Sequence, residues 1–265
     1  MVELASLSTF LAVWGPGAVM LQRQAGTLTR TLSQWVIGAT VLLGGTAATG
    51  AATSSSDRPE NLSPSVREQP LTQYRAYRRM HARNEHFGQE AWLEAWTEFD
   101  ERGFRYTIVS ETGSDYMRNK VLKAVLKREQ QLVADGDCRR SELTPDNYEF
   151  HDVQQGDGER YVTLKPKRKD VLLVEGRMVF SQDGSELLRV EGRLAKNPSF
   201  WTSLVNIIRH YARLDGVRVP VAIESIAKVK FAGVAYLDVH YEYETINGRP
   251  VSVAARHAFP ASAVR

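Results

Sequence analysis

The residues most able to do chemistry form a short polar run near the end of the chain. Residues 240–244 read His-Tyr-Glu-Tyr-Glu, so on a strand the histidine and both acids would share one side. Histidine and carboxylate are ligand types that bind transition metals. However, Asp238 continues the same phase, while Leu237 and Val239 occupy the opposite one. We therefore predict a solvated charged face here and expect no metal site.

Two tryptophans that alternate with glutamates form a second candidate. Trp92 and Trp96 share a phase with Glu94 and Glu98, which could make a sugar platform flanked by paired carboxylates, as glycosidases use. Residues four apart on a strand are about 13 Å apart, too far to act on one substrate atom. We predict that the tryptophans pack under a helix or a neighbouring loop. We expect no catalytic residue and no enzyme.

The composition is that of an ordinary globular protein. Of 265 residues, 43% are apolar and 25% charged, and the net charge of +3 provides no basic footprint for nucleic acid. The sequence contains neither a glycine-rich phosphate loop nor a nucleophile elbow, so no cofactor is expected. Cys138 is the one cysteine. We interpret it as an inert thiol, because neither a histidine nor a second cysteine is beside it.

The first 52 residues resemble an export signal. Residues 35–45 are apolar and uncharged, two arginines precede them, and a tail of small residues follows. The run is shorter than the ~20 residues that a membrane span needs, so we predict cleavage after Gly50 or Ala52, with retention as an anchor as the alternative. Translation is expected to start at Met20. Residues 53–70 are rich in Ser, Pro and charge and predict a disordered linker.

The remainder, 71–265, predicts one β-rich domain with a single helix. Alternation of apolar and polar residues predicts about ten strands, and three Asp-Gly or Asn-Gly pairs after position 180 predict two-residue hairpin turns. The helix is expected at about 115–134, capped by Ser114 and ended by Gly136. Its basic side could lie on an anionic membrane, but we expect its apolar stripe to cover the sheet.

The fold class is therefore mainly β (α+β), a curved antiparallel sheet or incomplete barrel with one amphipathic helix. A helix of 20 residues is about 30 Å long and cannot cover the whole apolar face of so wide a sheet. The uncovered part must curl, dimerise or hold a ligand. The predicted apolar lining consists of Leu93, Tyr106, Met178, Phe180, Leu188, Val190, Val219, Val221, Ile223, Leu237 and Val239.

Three segments carry a resemblance to a known family. They are a strand-turn-strand at 176–194, the run Arg-His-Tyr-Ala-Arg-Leu-Asp-Gly-Val-Arg-Val-Pro at 209–220, and Val-His-Tyr-Glu-Tyr-Glu-Thr-Ile-Asn-Gly-Arg at 239–249. Together they resemble the LolA/LolB/RseB lipoprotein-carrier superfamily over about 74–250. The resemblance implies a half-barrel around a cavity for acyl chains and a location in the periplasm.

Two functions follow as expectations. The first is a non-enzymatic, exported binder or carrier whose partner is a lipid or the acyl chain of a lipoprotein. The alternative is an envelope module that senses stress or binds another envelope protein without lipid.

Overall fold

The computed structural model describes residues 69–252 apart from residue 157, with the backbone alone at 152–155. The predicted leader and most of the predicted linker lie outside these residues. The strands are β1 Tyr74–Asn84, β2 Gln89–Asp100, β3 Gly103–Gly113, β4 Tyr148–Gly156, β5 Glu159–Pro166, β6 Val174–Ser181, β7 Leu187–Leu194, β8 Thr202–Leu214, β9 Val217–Val229, β10 Gly233–Ile246 and β11 Arg249–Pro250.

All the strands belong to one antiparallel sheet. Its order is β3-β2-β1-β10-β9-β8-β7-β6-β5-β4, and β11 adds to β10. Within the part of the chain that the structure describes, β3 and β4 are not paired with each other, so the sheet is open. The mainly β fold class with one main helix is thereby confirmed.

The predicted helix is present with both predicted ends. It runs as α-helix Asp115–Met117, π-helix Arg118–Leu122 and α-helix Lys123–Ala134, and we call the whole of it α1. The Ser114 hydroxyl accepts from the backbone N–H of Met117, and Gly136 follows in the left-handed conformation. A 3₁₀ turn, Asp137–Ser141, comes next. The π-helical turn was not predicted. None of the described helices is both long enough and apolar enough to cross a membrane.

Period-two alternation separates the two faces of the sheet. On β2, Leu93 and its inward neighbours are buried, whereas Trp92 and Glu94 on the other face are exposed or half-buried. The outer face carries ladders of ion pairs across strands, such as Arg79–Glu242 at 2.8 Å and Arg189–Glu159 at 2.7 Å. We call the apolar side, where α1 lies, the inner face.

Two of the three predicted turns have the expected form. Asp215-Gly216 and Asn247-Gly248 have positive φ at both positions, as a two-residue turn requires. The prediction for Asp183-Gly184 is wrong, because β6 ends at Ser181 and β7 begins only at Leu187. The Asp183 carboxylate accepts hydrogen bonds from Ser185 and Ser181, and these bonds stabilise a longer loop.

The inner face and α1 enclose one continuous core. The cluster includes Leu93 on β2, Leu126 on α1, Val190 on β7 and Ile223 on β9. Three strand spacings separate β1 from β8, about 14 Å in a flat sheet. Burial raises the pKa of Glu129 on α1, while Arg78 on β1 and Arg209 on β8 both act to lower it.

Candidate interior site beneath the helix

Small side chains line the inner face. Ala76 and Ala82 on β1, Ala91 and Ala95 on β2, and Ala235 on β10 are all buried. A methyl group projects little from the sheet, so a helix can approach closely across these positions. The alanines of β1 and β2 lie in the part of the sheet that α1 contacts.

One buried ion pair joins α1 to β1. The guanidinium Nη1 of Arg78 donates to Oε2 of Glu129 at 2.7 Å, and its Nη2 donates to Oε1 at 3.4 Å. The two side chains are 1% and 2% exposed. Arg78 follows the strand alternation inward, and Glu129 lies in the apolar stripe of α1 between Leu126 and Leu132.

Aromatic rings enclose the guanidinium. The Cζ atom of Arg78 lies 4.6 Å from the ring centroid of Tyr241 and 5.4 Å from that of Phe104. Tyr243 packs edge-on against Tyr74 at 5.8 Å, and its hydroxyl donates to the carbonyl of Pro220. We call Arg78, Glu129 and these rings the interior polar cluster.

Burial and pairing act against each other in the pKa values of the pair. Burial acts to lower the pKa of Arg78, but Glu129, Tyr241 and Tyr74 together outweigh it and the pKa is raised. Burial raises the pKa of Glu129, although Arg78 acts to lower it. Arg78 is therefore always a cation, and it needs an anion beside it to remain buried.

The predicted lining residues mostly face this interior. Seven are buried members of the core: Leu93, Met178, Val190, Val219, Ile223, Leu237 and Val239. Tyr106, Phe180 and Val221 are partly buried and pack against the core. All ten already contact other groups of the protein, so within the described residues the inner face is buried by the protein itself.

One assignment to the inner face needs correction. Leu188 is only half-buried and is not part of the core, whereas Leu187 is buried there. The cause is a register shift in the pairing of β6 with β7, between Val179 and Phe180. At this shift the residues of β7 that face inward and outward are exchanged.

The two tryptophans lie on the outer face, so the prediction that they pack under a helix or a neighbouring loop is wrong. Trp92 is 44% exposed on the outer face and stacks on His81 with ring centroids 4.7 Å apart. Trp96 packs edge-on against Tyr77, and Arg75 lies over its ring at 4.5 Å. Even-numbered positions of β2 face outward, whereas α1 covers the odd-numbered ones.

The polar run near the chain end lies on the outer face. His240 and Glu242 belong to the half-buried or exposed phase of β10, as the alternation predicts. Burial lowers the pKa of His240, with Asp238 acting in the opposite direction. Over the described residues, no three His, Cys, Asp or Glu side chains are grouped so as to hold a metal ion.

Cys138 lies in the 3₁₀ turn after α1. Its Sγ donates to the carbonyl of Leu132 at 3.7 Å. Burial raises the pKa of the thiol to about 11. At neutral pH the group is a thiol and not the reactive thiolate.

The sequence interpretation missed the interior polar cluster. The signal was present: Arg78 lies in phase with Ala76 and Met80, and Glu129 lies within an apolar helical stripe. When a strand and a helix each carry one charged residue among their buried apolar positions, the two charges are expected to pair. Neither charge can be buried alone.

Comparison with known proteins finds similar solved structures but no match to a family model or to a curated protein. No family model matches the chain, and no curated protein matches it. It is similar to a DUF1329 family protein from Desulfovibrio piger, with 10% identity over 64% of this chain and 84% of that one, at a TM-score of 0.31. It is also similar to a LolA superfamily protein from Nitrosomonas europaea, with 12% identity over 65% and 86%, at a TM-score of 0.31.

Proposed function

We propose that this protein binds an acyl chain, of a lipid or of a lipidated protein, between α1 and the inner face. The observation that carries the proposal is the shape of the core. One continuous apolar face, on a sheet that is open at β3 and β4, is covered over β1, β2 and β3 by a single helix. Displacing that one element would expose a concave apolar trough, which is the usual form of a site for an apolar ligand.

The helix has features of a movable element. Its π-helical turn, Arg118–Leu122, lies over β1 and β2, and such turns are rare and frequent at functional sites. At its edge Lys123 and Arg118 pair with Glu111 of β3 at 2.8 and 3.3 Å. These pairs are half-buried and weak. The buried link at Arg78 is therefore the principal polar contact that opening must break.

The interior polar cluster suggests the chemistry of the ligand. When α1 moves away, Glu129 leaves and Arg78 remains in an apolar trough as a cation without an anion. A ligand with a carboxylate or phosphate at the head of its acyl chain would replace Glu129. We infer an exchange of anions, in which the ligand takes the position that the helix carboxylate holds in the closed state.

The cellular location is part of the same proposal. The apolar run at 35–45 followed by small residues supports export to the periplasm, and an exported acyl-binding protein would meet lipids and lipoproteins there. Binding another envelope protein without lipid is the competing function.

A comparison of two probes tests the proposal. Purified protein is titrated with a fluorescent fatty acid and with the fatty alcohol of equal chain length. We expect saturable binding of one acid per chain and binding of the alcohol weaker by about tenfold or more, because the alcohol supplies no charge to Arg78.

Native mass spectrometry of the purified protein gives an independent readout. We expect a copurified lipid mass that is lost on organic extraction. Apo protein that binds neither probe but forms a stoichiometric complex with an envelope protein would overturn the proposal and favour the interaction module.

A further inference from the structure

Three loops meet at one end of the sheet. The turn after β1 (85–88), the segment before β8 (199–201) and the turn between β9 and β10 (230–232) are joined by hydrogen bonds. The side-chain amide of Asn84 donates to the carbonyl of Ala232 at 2.9 Å. The backbone N–H of Lys230 donates to the carbonyl of Trp201 at 2.7 Å. These bonds hold the loops as one surface.

Large aromatic side chains project from all three loops. Phe200 is 77% exposed, Phe231 74%, Phe87 49% and Trp201 36%. Trp201 lies between Phe200 and Phe231, with ring centroids 5.5 and 5.9 Å away. We call these four residues the aromatic rim. They account for most of the large apolar side chains that are exposed among the described residues.

The backbone at Phe231 is held in an unfavourable conformation. Its φ is 64°, in the left-handed region that bulky residues rarely adopt. An Asn or Gly would fit this turn without that cost, yet the position carries a phenyl ring directed to solvent. Such strain is a reason to look for a function at the position.

Cations accompany the rings. The Nζ of Lys230 lies 4.1 Å from the ring centroid of Phe200, and Lys196 and Lys228 are exposed close by in sequence. The three loop segments contain one acidic residue, Glu85, and its side chain pairs with Arg83 at 3.5 Å. The rim therefore presents apolar rings within a basic surround.

We propose that the aromatic rim docks this protein on the surface of an anionic lipid bilayer. Aromatic rings are favoured at the boundary between headgroups and acyl chains. Lysines beside them would contact lipid phosphates, each with a modest gain near an anionic surface. The rings of the rim thus suit the acyl-chain boundary of a bilayer, and the lysines suit its phosphates. This inference is independent of whether the interior binds a lipid.

The area of the rim favours a bilayer over a protein partner. An aromatic side chain buries about 150–250 Å², so four rings that are about half exposed offer roughly 400 Å². A standard protein interface buries about 800 Å² on each partner. The rim is therefore too small for such an interface, whereas a few inserted side chains suffice for reversible binding to a membrane.

Vesicle partition of the full chain tests the inference. We compare vesicles of phosphatidylcholine with and without phosphatidylglycerol, using the double variant Phe200→Ser/Phe231→Asn. The asparagine tolerates the left-handed backbone of the turn. Val109→Ser, at a position 52% exposed on β3, is the matched control. We expect the double variant to lose at least tenfold in partition to the anionic vesicles, as loss of two buried rings implies, and the control to be unchanged.

A second measurement identifies the surface that touches the bilayer. In Phe231→Trp the added tryptophan should be quenched by brominated lipid, and in Val109→Trp it should not. A residue 231 tryptophan that stays unquenched while the chain sediments with vesicles would overturn the proposal, as would equal partition of the double variant and wild type. A wild-type dimer that the double variant converts to a monomer would identify a protein interface instead.

Discussion

Arg78 and Arg79 are adjacent in the chain and lie in opposite environments. Each pairs with a glutamate, Arg78 with Glu129 at 2.7 Å and Arg79 with Glu242 at 2.8 Å. The first pair is 1% and 2% exposed, and the second 46% and 50%. The distances are nearly the same, so the difference between the pairs is their hydration. Ion pairs of nearly equal length can thus differ in role: the inner pair joins α1 to the sheet, and the outer pair belongs to a solvated ladder.

Breaking the inner pair should have the largest effect. We expect Glu129→Ala to lower the free energy of unfolding by about 3–5 kcal/mol, because Arg78 is left buried as an uncompensated charge. Glu242→Ala should cost about 0–1 kcal/mol, since water replaces the lost partner. Urea unfolding of both variants makes the comparison. Equal losses would show that Arg78 is hydrated and that the inner face is not dry.

A pair of apolar and aromatic substitutions tests the same difference between the faces. Leu93→Ala on the inner face should cost about 2–5 kcal/mol through lost contacts and a cavity. Trp92→Ala, its neighbour on the outer face, should cost about 0.5–1.5 kcal/mol, mainly the stacking on His81. A larger loss at Trp92 in thermal or urea unfolding would mean that the outer face is covered in solution.

Replacing both residues of the inner pair by apolar residues should not lower the free energy of unfolding, in contrast to breaking the pair. Arg78→Met with Glu129→Leu removes both charges of the pair together, so Arg78 is not left as a buried cation without its anion. We expect unfolding stability to be unchanged or higher by about 1–4 kcal/mol. A double variant as unstable as Glu129→Ala would show that the pair stabilises the fold by itself.

A further expected effect concerns a carboxylate that burial perturbs. Burial raises the pKa of Glu142 to about 7 from 4.5. The folded state therefore holds this proton more tightly than the unfolded state, and the associated stability is present below pH 4.5 and lost as the pH rises to about 7. Glu142→Gln should flatten that part of the stability curve. Glu94 on the outer face behaves in the opposite way, because hydrogen bonds from Ser110 and Tyr77 lower its pKa.

The strands and the helix could be predicted because their signals are local. Period-two alternation predicts β2, and Ser114 and Gly136 define the limits of α1. The register shift that exchanges Leu187 and Leu188 could not be predicted, because it depends on the partner strand β6. Nor does alternation tell which face a helix covers, so Trp92 was assigned to the wrong side.

The candidate site was predicted only in its apolar part. Ten of the eleven predicted lining residues contact the core, since apolar phase and burial coincide. The charges at Arg78 and Glu129 required the pairing of two elements 51 positions apart. That pairing depends on tertiary packing, which periodicity does not report.

If α1 closes an acyl site, the inner ion pair sets the free energy of opening it. Fatty-acid affinity in two variants tests it most directly, because the effects should be opposite. Glu129→Gln weakens the closed state and should bind the fluorescent fatty acid more tightly than wild type, since less binding energy is used to open the helix. Arg78→Met with Glu129→Leu keeps the helix closed and removes the cation, so it should bind more weakly. Absence of saturable binding in wild type and in Glu129→Gln alike, with both folded, would contradict the account.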